Sequence, residues 1–220
     1  MQTKTRIWDL PTRLFHWALV FCGVGLFVTA YTGVMLWHFR LGYAVLALLL
    51  FRLVWGFAGG RWSRFSSFIH SPAAAFRQLA GRGDPAHAAG HSPTGALSVF
   101  ALLLILLAQV GTGMLSDDAI SFAGPLAQFA SSDTVDAATR YHKDIGQWLL
   151  AGLVGLHVAA VLFYLLIKKR NLTAAMLTGD KPLEVQVQPA RDDARSRLLA
   201  LVIFALCGGA VWGMVRWTGG

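Results

Sequence analysis

The sequence predicts an all-α integral membrane protein, and three observations support that fold class. Of the 220 residues, 55% are hydrophobic and only 14% are charged, whereas a soluble domain carries about 25% charged residues. The mean hydropathy is +0.55. Five long apolar stretches follow one another along the chain. This composition excludes a disordered chain and an ordinary soluble enzyme.

Each apolar stretch is long enough to cross a bilayer, which requires about 20 mostly apolar residues. In chain order the stretches cover residues 14–36, 41–58, 96–115, 145–167 and 198–217, and the second is interrupted by Arg52. Lipid offers the backbone no hydrogen-bond partners, so we expect all five to be helices. The alternating pattern typical of barrel strands does not occur. In the first long connection, residues 72–79 are expected to form a short interfacial helix.

Lysine and arginine are distributed unevenly between the connections. Fourteen of the 19 fall in the N-terminal tail and in the connections after the second and fourth stretches, and four fall on the other side. Basic connections are typical of the cytoplasmic face. We therefore expect a cytoplasmic N-terminus and, after five spans, a periplasmic C-terminus. The net charge of +8 is then explained by topology, and no nucleic-acid partner is expected.

Four histidines lie in or at the ends of the apolar stretches, where ionisable groups are costly and usually functional. His142 and His157 are 15 residues apart, which on an α-helix is about 22 Å of rise and about 60° of rotation. The topology pairs His38 with His142 on the outer side and His16 with His157 on the inner side. Such pairs suit bis-histidine ligation of two haem b groups. Zinc fits less well, because each pair offers only two ligands.

Three further polar residues are expected near the inner pair. Arg52 and Arg13 are candidates to bind haem propionates, although both side chains could instead extend to the interface. His91 precedes the third stretch and could contact a propionate or handle quinone protons. Glycines in three stretches leave room for a flat ring or for close helix packing; they are Gly23, Gly25, Gly111, Gly113, Gly152 and Gly155.

Several motifs occur in order along the chain. They are WDLPTRLFHW at 8–17, the pattern His38, Gly42, Arg52 and WGF at 55–57, RFSSF at 64–68, GHSPTG at 90–95, YHKDIGQW at 141–148 and the segment 156–182. With these motifs the sequence resembles the bacterial cytochrome b561 family, which includes the cytochrome b subunits of nickel–iron hydrogenases. The resemblance implies a dihaem four-helix transmembrane domain over residues 1–182 in the bacterial inner membrane. Residues 183–220 would add a linker and a fifth transmembrane helix.

The resemblance also implies ligands and a function. His16 and His157 would ligate a cytoplasmic-side haem b, and His38 and His142 a periplasmic-side haem b. The expected function is electron transfer between quinone and a periplasmic partner, such as a cytochrome c, a dehydrogenase or a hydrogenase. The acidic outer segment 117–136 favours a cationic protein partner. Alternatives are a superoxide oxidase that reduces quinone, a cytochrome b subunit that anchors a hydrogenase or dehydrogenase, and a proton-translocating transporter without haem.

Overall fold

The computed structural model describes residues 3–82, 89–183 and 185–219. It is predominantly helical, as expected, and five helical segments are long and apolar enough to cross a membrane. The helices are α1 (Leu10–Thr32), α2 (Met35–Ala58), α3 (Pro72–Leu79), α4 (Pro93–Leu115), α5 (Ser132–Arg140), a π-helix (Tyr141–Gly146), α6 (Gln147–Leu166), α7 (Leu172–Thr178) and α8 (Ala194–Thr218). Single turns of 3-10 helix lie in the described parts of the connections, at Phe65–Ser67 and at Ala127–Phe129.

Several of the predicted span boundaries are wrong, including the start of the second stretch, which was expected at residue 41. The first stretch was expected to continue to residue 36, but α1 ends at Thr32 and α2 begins at Met35. Gly33 makes this tight turn with a φ of 72°, in the left-handed region that glycine adopts at little cost. The fourth helical segment begins at Ser132, well before the predicted residue 145. The side chain of Ser131 caps its first turn by accepting a hydrogen bond from the backbone N–H of Thr134.

The short helix expected at residues 72–79 is present as α3. Pro72 occupies its first turn, where a missing N–H costs nothing, and the Ser71 hydroxyl accepts a hydrogen bond from the N–H of Ala74 at 3.3 Å. The expectation of a short helix over these residues is therefore confirmed.

A two-stranded antiparallel sheet was not predicted. Strand β1 (Thr3–Arg6) pairs with β2 (Asp180–Leu183), so that Thr3 faces Leu183 and Arg6 faces Asp180. Arg6 Nε donates to Asp180 Oδ1 at 2.7 Å across the pair. Strands of four residues are too short to show a clear alternation of polar and apolar residues. Their pairing is therefore a tertiary feature.

Asp192 connects the start of α1 to the start of α8. Its carboxylate accepts hydrogen bonds from the N–H of Leu10 at 3.1 Å, from Arg6 Nη1 at 2.9 Å and from Arg197 Nε at 3.0 Å. Its side chain is only 5% exposed. This carboxylate thus satisfies one of the free N–H groups at the beginning of α1.

The chain divides into two compact units. The first contains the described residues within Met1–His16, Arg52–Ala101 and Gly155–Ile203, and the second those within Trp17–Phe51, Leu102–Val154 and Phe204–Gly220. In the first unit, Ile7, Trp8 and Leu183 belong to a buried hydrophobic cluster that also includes Ala89 and Ala175. In the second unit, Phe51 and Phe204 pack edge to face, with ring centroids 5.9 Å apart.

Candidate functional site

The first unit brings His16 of α1 beside His157 of α6. Their ring centroids are 6.5 Å apart, with an angle of 53° between the ring planes. Both side chains are half-buried. The two imidazoles are therefore neighbours, as the topology predicted, and their role as ligands stays a prediction.

The second unit brings His38 of α2 beside His142 of the π-helix. Their ring centroids are 6.2 Å apart, and the ring planes are nearly perpendicular at 86°. The Nδ1 of His38 lies 3.2 Å from the carbonyl oxygen of Leu26, and the Nδ1 of His142 lies 2.9 Å from the carbonyl oxygen of Gln109. A carbonyl oxygen only accepts, so each Nδ1 carries the proton. In the neutral ring, Nε2 then keeps its lone pair for a metal.

The spacing of both pairs fits a metal held between two imidazoles. An imidazole nitrogen binds a transition metal at about 2.0 Å and the ring centroid lies roughly 1.1 Å further out, so opposed centroids lie about 6.2 Å apart. The observed separations are 6.5 and 6.2 Å. In the part of the chain that the structure describes, no three His, Cys, Asp or Glu side chains converge as metal ligands. The donor set of each pair is thus two imidazoles, which suits a haem iron whose other four ligands come from the porphyrin.

The six glycines expected to make room fall into two groups. A Cβ at Gly113 would lie 2.8 Å from Cε1 of His142, and a Cβ at Gly25 would lie 2.7 Å from Cδ1 of Leu41. These two positions allow close side-chain packing. At the other four, a Cβ would meet no atom within 4 Å; they are Gly23, Gly111, Gly152 and Gly155. Within the residues that the structure describes, a methyl group there would contact nothing beyond the nearby backbone of its own helix.

Arg52 lies inside the first unit and is only 3% exposed. Its guanidinium carbon is 4.6 Å from the ring centroid of Phe65, and its Nη1 has no hydrogen-bond partner among residues 3–82, 89–183 and 185–219. Nor does any carboxylate of those residues lie within 4.0 Å of it. Such burial does not fit a side chain that extends to the interface. A buried cation without an ion-pair partner is costly, so the site favours an anion.

Arg13 and His91 lie in the same unit. Arg13 Nη1 donates to the carbonyl oxygen of Leu177 at 2.5 Å, while its Nε has no hydrogen-bond partner within the described ranges. The His91 ring packs against both Trp8 and Phe68, with centroid distances of 4.6 and 4.3 Å. Burial, reinforced by nearby positive charges, lowers the pKa of His91 to about 3. His91 is therefore neutral at physiological pH and cannot act as a cationic partner.

One residue of this unit was missed by sequence reasoning. Asp9 is fully buried and accepts hydrogen bonds from the N–H of Thr12 at 2.8 Å, from Trp55 Nε1 at 3.3 Å and from the hydroxyl of Ser63. Asp9 directly precedes α1, and an aspartate directly before an apolar helix is a recognised start signal. The Trp55 and Ser63 contacts, however, come from distant parts of the sequence.

The chain is a membrane-bound b-type cytochrome that takes part in electron transfer, a class that its family match shows and that its helical fold and paired imidazoles suit. More specifically, the chain belongs to the prokaryotic cytochrome b561 family, whose sequence model matches residues 7–179. Searches of curated proteins and of solved structures found no significant match. The family membership suggested by the motifs is therefore confirmed, and it implies that the protein binds b-type haem.

Proposed function

We propose that this protein is a dihaem cytochrome that moves electrons across the bacterial inner membrane, between the quinone pool and a redox partner on the periplasmic side. The observation that carries this proposal is the presence of two imidazole pairs with centroid separations of 6.5 and 6.2 Å. His16 and His157 would ligate the cytoplasmic-side haem b, and His38 and His142 the periplasmic-side haem b.

When bound, haem supplies an iron centre that accepts and releases one electron at a time. The histidines would hold that centre, and the carbonyl partners of His38 and His142 would set the direction of each ring and raise its basicity. Electron transfer through such sites needs ligation and burial, and it needs no general acid or base at the histidines themselves. The proposal thus accounts for two partly buried imidazole pairs.

Arg52 is the best candidate to bind a propionate of the cytoplasmic-side haem. Its guanidinium is buried without an ion-pair partner within the described residues, and a propionate would offset the cost of that buried charge. Arg13 would supply a second donor through its Nε. His91 is neutral and packs against two aromatic rings. It therefore suits a hydrogen bond to a quinone better than an ion pair with a propionate.

The uneven distribution of lysine and arginine supports a cytoplasmic N-terminus and a periplasmic C-terminus. The outer segment 117–136 would then face a periplasmic partner. Its Asp118 accepts hydrogen bonds from the N–H groups of Ile120, Ser121 and Phe122, which lower the pKa of Asp118 to about 2. This carboxylate stays ionised at any physiological pH, which favours a cationic partner such as a cytochrome c.

Haem quantification tests the ligand assignment. We expect two haem b per chain in the purified protein and one per chain in both His38→Ala and His157→Ala, each variant losing a different spectral component. Met35→Leu serves as the matched control, since Met35 is the other side chain near the start of α2 with a metal-binding atom, and should retain both haems. A folded protein that lacks haem, or a His38→Ala variant that retains two, would overturn the proposal.

Stopped-flow reduction distinguishes the possible donors. Mixing the oxidised protein with quinol should reduce both haems, and a cationic cytochrome c should then reoxidise them at a rate that falls with ionic strength. Rapid reduction by superoxide combined with inertness toward cytochrome c would instead identify a superoxide oxidase. Dependence on a co-purifying catalytic subunit would identify a hydrogenase or dehydrogenase anchor.

A further inference from the structure

The helix that carries His142 is not regular. Between α5 and α6, residues Tyr141–Gly146 form a turn of π-helix, in which each N–H bonds five residues back instead of four. The wider turn displaces backbone groups from their usual partners, and such turns occur frequently at functional sites. His142 is the second residue of this turn.

Gln109 of α4 makes two hydrogen bonds to His142. Its side-chain Nε2 donates to the carbonyl oxygen of His142 at 3.0 Å, and its own carbonyl oxygen accepts from the ring Nδ1 of His142 at 2.9 Å. The first bond fixes the backbone of His142 and the second fixes its ring. Together they hold one residue of the π-helix to one residue of α4 at two points.

Two glycines make this arrangement possible. A Cβ at Gly146 would lie 2.0 Å from Gln109 Oε1 and 2.7 Å from Cε1 of Tyr141, so any side chain at position 146 would displace the amide. A Cβ at Gly113, one turn after Gln109, would lie 2.8 Å from the His142 ring. The observed position of His142 therefore depends on the amide of Gln109 and on the absence of a side chain at Gly113 and Gly146.

We infer that Gln109 is a positioning residue for His142, and that it tunes the periplasmic-side haem through this ligand. The inference rests on the proposed function, because it assumes that His142 ligates haem iron. Gln109 acts by anchoring the His142 carbonyl, which keeps Nδ1 directed at the carbonyl of residue 109. That hydrogen bond makes the imidazole a stronger electron donor. A stronger donor stabilises ferric iron and lowers the reduction potential of the haem.

The variant Gln109→Met tests this inference, because methionine has a similar length and volume but cannot donate. We expect the midpoint potential of the periplasmic-side haem to rise while that of the other haem stays unchanged. The low-spin EPR signal of the same haem should also change, because that signal depends on the angle between the two imidazole planes. The matched control is Gln128→Met, since Gln128 Nε2 likewise donates to a backbone carbonyl, that of Thr218, at 2.9 Å. The control should leave both potentials unchanged.

A second variant keeps the inference testable if Gln109→Met does not fold. Gly146→Ala displaces the amide without altering it, so it should shift the same potential in the same direction. The double variant should shift it by no more than the larger single effect, because both changes break one interaction. Gly209→Ala is the control, because a Cβ there meets no atom within 4 Å.

Unchanged potential and EPR signals in a folded, dihaem Gln109→Met protein would overturn the inference. So would equal shifts of both haems, or loss of both haems in both variants, since either result indicates a general structural effect. The proposed function fails separately, if His38→Ala and His142→Ala do not each remove one haem from the otherwise native protein.

Discussion

Replacing Asp9 with alanine should destabilise the protein well beyond the loss of an ordinary helix cap. The carboxylate is fully buried and accepts three hydrogen bonds, from Thr12, Trp55 and Ser63. Loss of the cap costs about 1 kcal/mol. The indole N–H of Trp55 would lose its hydrogen bond to this carboxylate, and such a bond contributes about 1.5–3 kcal/mol.

The hydroxyl of Ser63 would lose less, because it also lies 2.8 Å from the hydroxyl of Thr12 and could bond to it instead. The total is therefore about 3 kcal/mol. For a chain of this size, that corresponds to a melting temperature lower by about 10 °C. The assay is thermal unfolding in detergent, followed by circular dichroism, with the haem content of the protein recorded before heating.

Asp193→Ala is the matched control for this measurement. Asp193 caps α8 in the same way, accepting from the N–H of Ser196 at 2.7 Å, but its side chain is 54% exposed. The control should lower the melting temperature far less, and Asp9→Asn should fall between the two because asparagine can still accept from Thr12. Equal losses in Asp9→Ala and Asp193→Ala would refute the role of the buried network.

Three further outcomes are expected. Gly113→Ala should weaken retention of the periplasmic-side haem, because the Cβ of the new alanine would lie 2.8 Å from the His142 ring. A Gly113→Ala protein that keeps two haems with unchanged spectra would contradict this expectation. Burial opposes ionisation of Asp192, but hydrogen bonds from two arginines and a backbone N–H hold its pKa below the ordinary value. The stability it contributes is present above about pH 4 and is lost on acidification, so the melting temperature of Asp192→Asn should fall less steeply from pH 5 to pH 3 than that of the native protein. Burial lowers the pKa of Lys181 to about 8, so between pH 8 and pH 10 the unfolded chain binds more protons than the folded protein. The melting temperature should therefore rise over that range. In Lys181→Gln this rise should be absent.

Much of the candidate site was predictable because its signals are local. An intramembrane histidine is visible in the sequence, and its depth follows from its place within an apolar stretch. The partner of each histidine followed from the number of spans between them. The hydrogen-bond partners of the rings were not predictable in this way. The carbonyl that orients His142 is 33 residues away in sequence, and backbone carbonyls carry no residue-specific signal.

The sequence by itself determined the helical membrane class, the five spans and the four intramembrane histidines, because a lipid bilayer imposes length and polarity requirements that can be counted along a chain. Only the tertiary structure decided the π-turn around His142, the pairing of β1 with β2, and the burial of Arg52 without an ion-pair partner within 4.0 Å among the described residues. Each of these depends on which side chains of separate segments come within hydrogen-bonding or packing distance. Such contacts arise from the packing of whole helices, which hydropathy and spacing do not encode.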